Sequence, residues 1–318
     1  MTARLAVLFV SAEVAPFSKV GGLGDVAGSL PPAVARLGFR VDVISPWYRY
    51  TAAALPEPGP PVYFGRISFS GKTEPFALYR IRRNGVRFWF VDYPPYFQRE
   101  GIYTLPDGQG YPDNGRRFLF FQLAVTDSLR NRILSPDVLH VNDHHTALIP
   151  FFCRRAGIPL PSLLTLHNLA YHGHLPPEDL AVLPSEIARE LQSRAPEKHW
   201  VNPLKIGIET ADRINTVSPT YARELLSDPA LAGEAAAVLK KRHADFSGIL
   251  NGIDTTGWNP ATDPFLAAPY DRKRLAGKRI NRTALLNRSG LKIADRKPVF
   301  GSVSRLVESK GFDLLLRA

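Results

Sequence analysis

The chain has 318 residues, 45% hydrophobic and 22% charged, with one cysteine (Cys153) and a formal net charge of +11. A single cysteine excludes a disulfide framework and points to a reducing compartment. No apolar run approaches the ~20 residues of a membrane span, so the sequence reads as cytoplasmic and without a membrane partner. The charge is local, because Asp271–Pro298 holds ten Lys/Arg against two Asp. A solvated basic helix face suits that pattern better than a nucleic-acid surface, which spreads cations among aromatics.

In chain order, RLAVLFV (Arg4–Val10) is a continuous apolar strand of the kind buried on both faces. The opening MTARLAVLFVSAEVAP has the outline of a secretory signal, but its apolar core is short and it reads better as that first strand. A glycine-rich loop, SKVGGLGDVAG, follows, then a helix over Asp25–Leu37 closed by Gly38 as a left-handed cap. RVDVIS is the next strand. Tyr50–Gly115, rich in Pro, Gly and aromatics, predicts hairpins and long loops, with Asn84-Gly85 as one tight turn. DVLHV, SLLTLH and RINTVS repeat the strand pattern between helical stretches, the signature of a parallel α/β sheet. Ser218 caps a helix that opens with Pro219.

Turn residues accumulate around 245–264, dividing the chain into a first domain over 1–246 and a linker plus second domain over 247–318. The basic stretch predicts a helix with Leu275, Ile280, Leu285 and Leu286 facing inward. PVFGSVSRL then reads as a strand and FDLLLRA as an amphipathic helix, the beginning of a second α/β domain.

Ligands of open parallel sheets bind beyond the carboxyl ends of the strands. After the first strand stand Glu13, Lys19, Gly21, Gly22, Gly24 and Asp25. This loop admits two readings: an anion cradle of backbone N–H groups with a helix N-terminus and a lysine, or a tight turn with an exposed lysine. After DVLHV come Asn142, Asp143, His144 and His145, and after SLLTLH come Asn168 and Tyr171. Six of eight histidines lie between His140 and His174, yet HExxH spacing and cysteine ligands are absent, which disfavours a metal. A His/Asn/Asp cluster suits hydrogen bonding to a polyhydroxylated substrate, although Asp143 could instead cap a helix starting at His145. No GxSxG elbow supports hydrolase chemistry. Arg305 and Lys310 follow the last strand, where two cations suit a diphosphate.

In order, SAEVAPFSKVGGLGDV, HVNDHHTALIP, TLHNLAYHG, ADRINTVSPTYARE, GILNGIDTTGWNPATD and VSRLVESKGFDLL resemble the bacterial glycogen synthase and plant starch synthase family. The resemblance runs from about Phe9 to the last residue. It implies the two-domain glycosyltransferase-B fold, here a Rossmann-like N-terminal domain with the start of a second, and a chain shorter than the family's. It further implies transfer of glucose from ADP-glucose to the non-reducing end of an α-1,4-glucan with retention, needing no metal or other cofactor. By resemblance Lys19, Gly21 and Gly22 contact the donor, Glu13 and Asp25 lie near the glucosyl group, and His145 meets the transferred glucose. Asn251 lies near the cleft, and Arg305 and Lys310 stabilise the departing ADP. The family pattern carries Trp where this chain has His144 and Gln where it has Ser309.

Two other readings stay open: a related transferase using another nucleotide sugar, and a catalytically silent fragment that binds glucan or nucleotide sugar.

Overall fold

The computed structural model describes residues 4–55, 59–195, 200–294, 297–304, 306 and 310–317. It divides into two compact units, Met1–Gly252 and Ile253–Ala318.

The first unit is built on one nine-stranded sheet. Its strands are β1 (Ala6–Val10), β2 (Arg40–Pro46), β3 (Tyr63–Phe69), β4 (Lys72–Arg83), β5 (Val86–Asp92), β6 (Val138–Asn142), β7 (Ser162–Leu166), β8 (Arg213–Thr216) and β9 (Phe246–Gly248). Their order is β3-β4-β5-β2-β1-β6-β7-β8-β9. From β5 to β9 all neighbours are parallel, and only β3-β4-β5 run antiparallel. Parallel neighbours need crossovers, which accounts for the alternation of apolar runs and helices along the chain.

Side chains alternate across a strand, and here both faces are covered. Leu8 and Val10 of β1 join Ile44, Trp89, Leu119 and Phe120 in one apolar cluster. Phe9, between them, joins Val41, Val43, Phe88, Phe90 and Phe17 in another. The antiparallel edge differs: β4 buries only Phe76 and Leu78, and in β3 buried and outward residues strictly alternate because one face meets the helix Asn114–Arg130.

The turn chemistry read from the sequence holds. Gly38 has φ +97°, closing the helix Gly22–Arg36. Asn84 and Gly85 both have positive φ and pair β4 with β5 through Arg83 and Val86. The Ser218 side chain accepts the N–H of Tyr221 at the head of the helix Pro219–Ser227. The alternative in which Asp143 caps a helix starting at His145 does not hold. Asp143 itself takes φ +54°, and the helix begins later, at Ile149. The carboxylate of Asp143 is engaged elsewhere, by the N–H of His167 at 2.7 Å.

The second unit departs from two expectations. The basic helix forms over Ala276–Arg288, but Leu275, Ile280 and Leu285 are all more than half exposed and only Leu286 is buried. Residues 298–304 form no strand, and Phe300 and Val303 stand in solvent. A strand needs a ladder partner, and among the described residues this unit contains no strand to supply one. Arg305 and Ser309 lie outside the described residues. Among those described, no helix is long and apolar enough to cross a membrane.

Candidate functional site

The chain leaves β1 toward β2 on one side, while β6 pairs on the other side of β1. The crevice beyond the carboxyl ends of β1 and β6 is therefore a topological switch point, where open α/β sheets bind ligands. Asn142, the last residue of β6, ties three strand ends together. Its Nδ2 donates to the Val10 carbonyl at 3.0 Å, so its Oδ1 faces the His167 Nε2 at 3.0 Å. Only a protonated Nε2 can serve that oxygen, which sets the tautomer of His167. One step back in the sheet, the Thr165 hydroxyl donates to Asn215 Oδ1 at 2.6 Å and accepts from His140 Nε2 at 2.7 Å. Burial pushes His167 down to about 4 and His140 to about 3, so both rings are neutral at pH 7.

Glu13 gives the glycine loop its shape. It is buried, and its Oε2 accepts the N–H groups of Val20 and Gly21 at 2.6 and 2.9 Å. Its Oε1 accepts the Tyr103 hydroxyl at 2.7 Å. One donor expected to cradle a ligand anion, the Gly21 N–H, is thus occupied by the chain's own carboxylate, together with its neighbour at Val20. The donors left for a ligand are those of the first turn of the helix Gly22–Arg36, whose N-cap Gly21 has no side chain to cap them. Side chains at 21 and 22 would meet nothing within 4 Å, so this face is open, whereas a Cβ at Gly24 would press on Glu13 and Lys19 at 3.1 Å. Lys19 Nζ lies 2.7 Å from Asp25 Oδ1, and both side chains are about half exposed.

Asp143 and His145 sit deeper. Burial raises Asp143 to about 7, against the lowering effect of the His167 and Asn168 N–H groups, and the charge of Glu13 adds to the rise. The His145 ring lies on Tyr103, with centroids 4.9 Å apart and planes 28° apart, and meets the edge of Phe118 at 4.5 Å. Its Nδ1 is buried without a hydrogen-bond partner, and burial holds its pKa well below the usual histidine value. His144 packs on His145 at 3.7 Å and against Gly173, where a Cβ would come within 2.2 Å of the ring. A planar ring thus occupies the position that carries Trp in the family pattern. The alternative in which His145 merely opens a helix does not hold, since residues 144–148 precede the helix Ile149–Arg155.

The remaining expected residues are more peripheral. Asn168 is exposed and accepts the Ala170 N–H at 3.0 Å, and Tyr171 is more than half exposed on the same loop. Asn251 is exposed beyond the end of β9, which lies three strands from β6 in the sheet. Lys310 is exposed and belongs to the second unit. Sequence reasoning missed Tyr103, which lies in a stretch read as hairpins and long loops, and gave His167 no role of its own. No group of three or more His, Cys, Asp or Glu among the described residues is arranged to hold a metal.

A Rossmann-like α/β domain with a cluster of polar side chains at its switch point is a scaffold for nucleotide-sugar chemistry among other uses. The chain belongs to the starch synthase catalytic domain family, whose profile matches residues 6–241. It is 39% identical over 317 residues to a glycogen synthase of Streptococcus sanguinis, covering 98% of this chain and 65% of that protein. It is 35% identical over 319 residues to a glycogen synthase of Streptococcus mutans, with the same coverage. Among solved structures it is similar to the catalytic domain of starch synthase IV from Arabidopsis thaliana bound to ADP and acarbose. That match has a TM-score of 0.84 and 31% identity, over 99% of this chain and 65% of that one. The chain therefore spans 65% of the length of these relatives. The fold is the glycosyltransferase-B type expected from the ordered motifs.

Proposed function

We propose that this chain supplies the acceptor-side domain of a retaining glucosyltransferase that moves glucose from ADP-glucose to the non-reducing end of an α-1,4-glucan, in the cytoplasm. The observation that carries the reading is the hydrogen-bonded cluster of polar side chains at the ends of β1, β6 and β7, in a chain of this family. There Glu13 braces an open glycine-rich helix N-terminus, while neutral imidazoles and a carboxyl line the opposite side.

Breaking the glycosidic bond builds positive charge on the glucosyl carbon and negative charge on the leaving diphosphate. Cations and N–H groups fixed where that charge develops are the expected catalytic device. Lys19, the free N–H groups of the helix turn that opens at Gly22 (with Gly21 leaving room beside them), Arg305 and Lys310 take the donor's anionic side. Asp25 and His145, with Glu13, Asn142, Asp143, Asn168, Tyr171 and Asn251, take the sugar hydroxyls. Holding the donor rigidly against the acceptor hydroxyl supplies the rest, and none of these roles requires a metal.

The test is transfer of labelled glucose from ADP-glucose, with UDP-glucose as competitor donor, to a maltooligosaccharide by the full-length protein. Products should be α-linked and extended at the non-reducing end. Preference for another nucleotide sugar would move the chain to a related transferase, and glucan binding without any transfer would make it a binding module.

A further inference from the structure

Arg117 has no solvent exposure, although it is charged and no carboxylate among the described residues is bonded to it. Its Nε donates to the Tyr96 carbonyl at 2.9 Å, and its Nη1 donates to the Ile102 carbonyl at 3.0 Å and to Asn114 Oδ1 at 2.6 Å. The guanidinium also lies over the ring of Tyr111, 4.8 Å from its centroid. Asn114, one turn earlier on the same helix, turns its Nδ2 to the Tyr103 carbonyl at 2.8 Å. Burying a charge is costly unless its geometry is used. What this one holds is a stretch of backbone, Tyr96–Tyr103, most of which lies in no helix or sheet.

That stretch ends at the residue bridging both sides of the cleft. Tyr103 donates its hydroxyl to Glu13 and lays its ring on His145. We propose that Arg117 is a positioning residue that, with Asn114, fixes the Tyr96–Tyr103 backbone so that Tyr103 keeps Glu13 and His145 in register. Lysine cannot replace it. Its single ammonium lacks the planar fork that reaches two separate carbonyls at once. The catalytic consequence rests on the glucosyl-transfer reading above, but the positional one does not.

The test therefore has two arms. In the 318-residue chain, Arg117→Lys and Asn114→Ala are compared with the parent by NMR of the His145 ring and by hydrogen exchange of the Val20 and Gly21 amides. Both variants should move the His145 ring signals, which the Tyr103 ring current displaces, and should lower protection at Val20 and Gly21. Amides of β1, β6 and β7 should keep theirs. Tyr103→Phe, which retains the ring, should leave the His145 signals in place. In the full-length protein the same two variants should lower kcat about 10- to 100-fold while leaving the KM for glucan unchanged. Unmoved His145 signals with unmoved loop protection would overturn the proposal, as would a uniform loss of protection across the sheet. Should Arg117→Lys fail to fold, Asn114→Ala decides, because it leaves the buried guanidinium in place. A parent that transfers no glucose would defeat the functional reading alone, leaving the first arm to decide the positioning.

Discussion

The N–H of Gly21 points at the carboxylate of Glu13, 2.9 Å away, and not outward. With the Val20 N–H at 2.6 Å on the same oxygen, an internal anion shapes the loop before any ligand arrives. Glycine spacing alone left the loop evenly balanced between an anion cradle and a tight turn. The structure combines the two: a turn tightened around Glu13, opening into a helix N-terminus that remains free.

Glu13→Gln tests this directly. The amide can still turn its oxygen to the loop N–H groups and its NH2 to the Tyr103 hydroxyl, so what the substitution removes is the charge on those bonds. Hydrogen bonds to a charged group contribute about 1.5–3 kcal/mol each. Exchange of the Val20 and Gly21 amides should speed up by at most roughly the corresponding 10- to 150-fold, and protection equal to the parent would remove Glu13 from this role.

Lys19→Ala should weaken use of ADP-glucose far more than glucan binding or stability. The pair with Asp25 is half exposed, and such surface pairs contribute at most about 1 kcal/mol. A charge-assisted contact to diphosphate contributes about 1.5–3 kcal/mol, so kcat/KM for the donor should fall roughly 10- to 150-fold. Equal rates of mutant and parent at sub-saturating donor would exclude the contact.

At position 145, packing and chemistry can be separated. His145→Ala removes a ring packed on Tyr103 and Phe118 and should lower the melting temperature as well as turnover. His145→Phe keeps the ring and deletes a buried Nδ1 that has no partner, which should be neutral or stabilising. Turnover should nevertheless stay low in His145→Phe. A phenylalanine variant with normal turnover would show that the ring acts only by packing, and would shift attention to His167.

Stability should rise with pH between about 4 and 6.5. Burial lowers His140 to about 3 and His144 and His167 to about 4, from an ordinary 6.5. The unfolded chain then binds more protons than the folded one in this window, so protonation on acidification favours unfolding. Asp143, raised to about 7, acts in the opposite direction, as do Asp92, Asp127 and Asp179, which burial also raises, and Asp143→Asn should steepen the dependence. Urea unfolding at several pH values reads both effects. A flat or falling profile between pH 4.5 and 6.5 would contradict the buried neutral histidines.

The 318-residue chain by itself should synthesise no glucan at a useful rate, and protease should trim it from about Gly290 onward while sparing the sheet of the first unit. Residues 298–304 lie in no sheet, and Phe300 and Val303 are in solvent, so Lys310 follows a segment without a scaffold. Misplacing a catalytic group by about 1 Å can cost ~100-fold. Robust incorporation of glucose by this polypeptide, or a protease-resistant tail in a monomer, would refute the expectation.

Local rules in the sequence were enough for the parallel α/β class, for Gly38, Asn84-Gly85 and Ser218, and, through the ordered motifs, for the family. Backbone conformation at those turns depends on a few adjacent residues, and an apolar run is long enough to declare a buried strand. Contacts across long separations were decided only by the tertiary structure. Glu13 reaches forward to Tyr103, Asn142 back to Val10 and on to His167, and Asp143 to His167 instead of to its own helix. Each of these bonds depends on which strands become neighbours, and strand order is not written in any short stretch of chain. The missing strand at 298–304 has the same origin. Its apolar pattern was legible, but a strand exists only when another supplies its hydrogen-bond partners, and among the described residues of its unit none does.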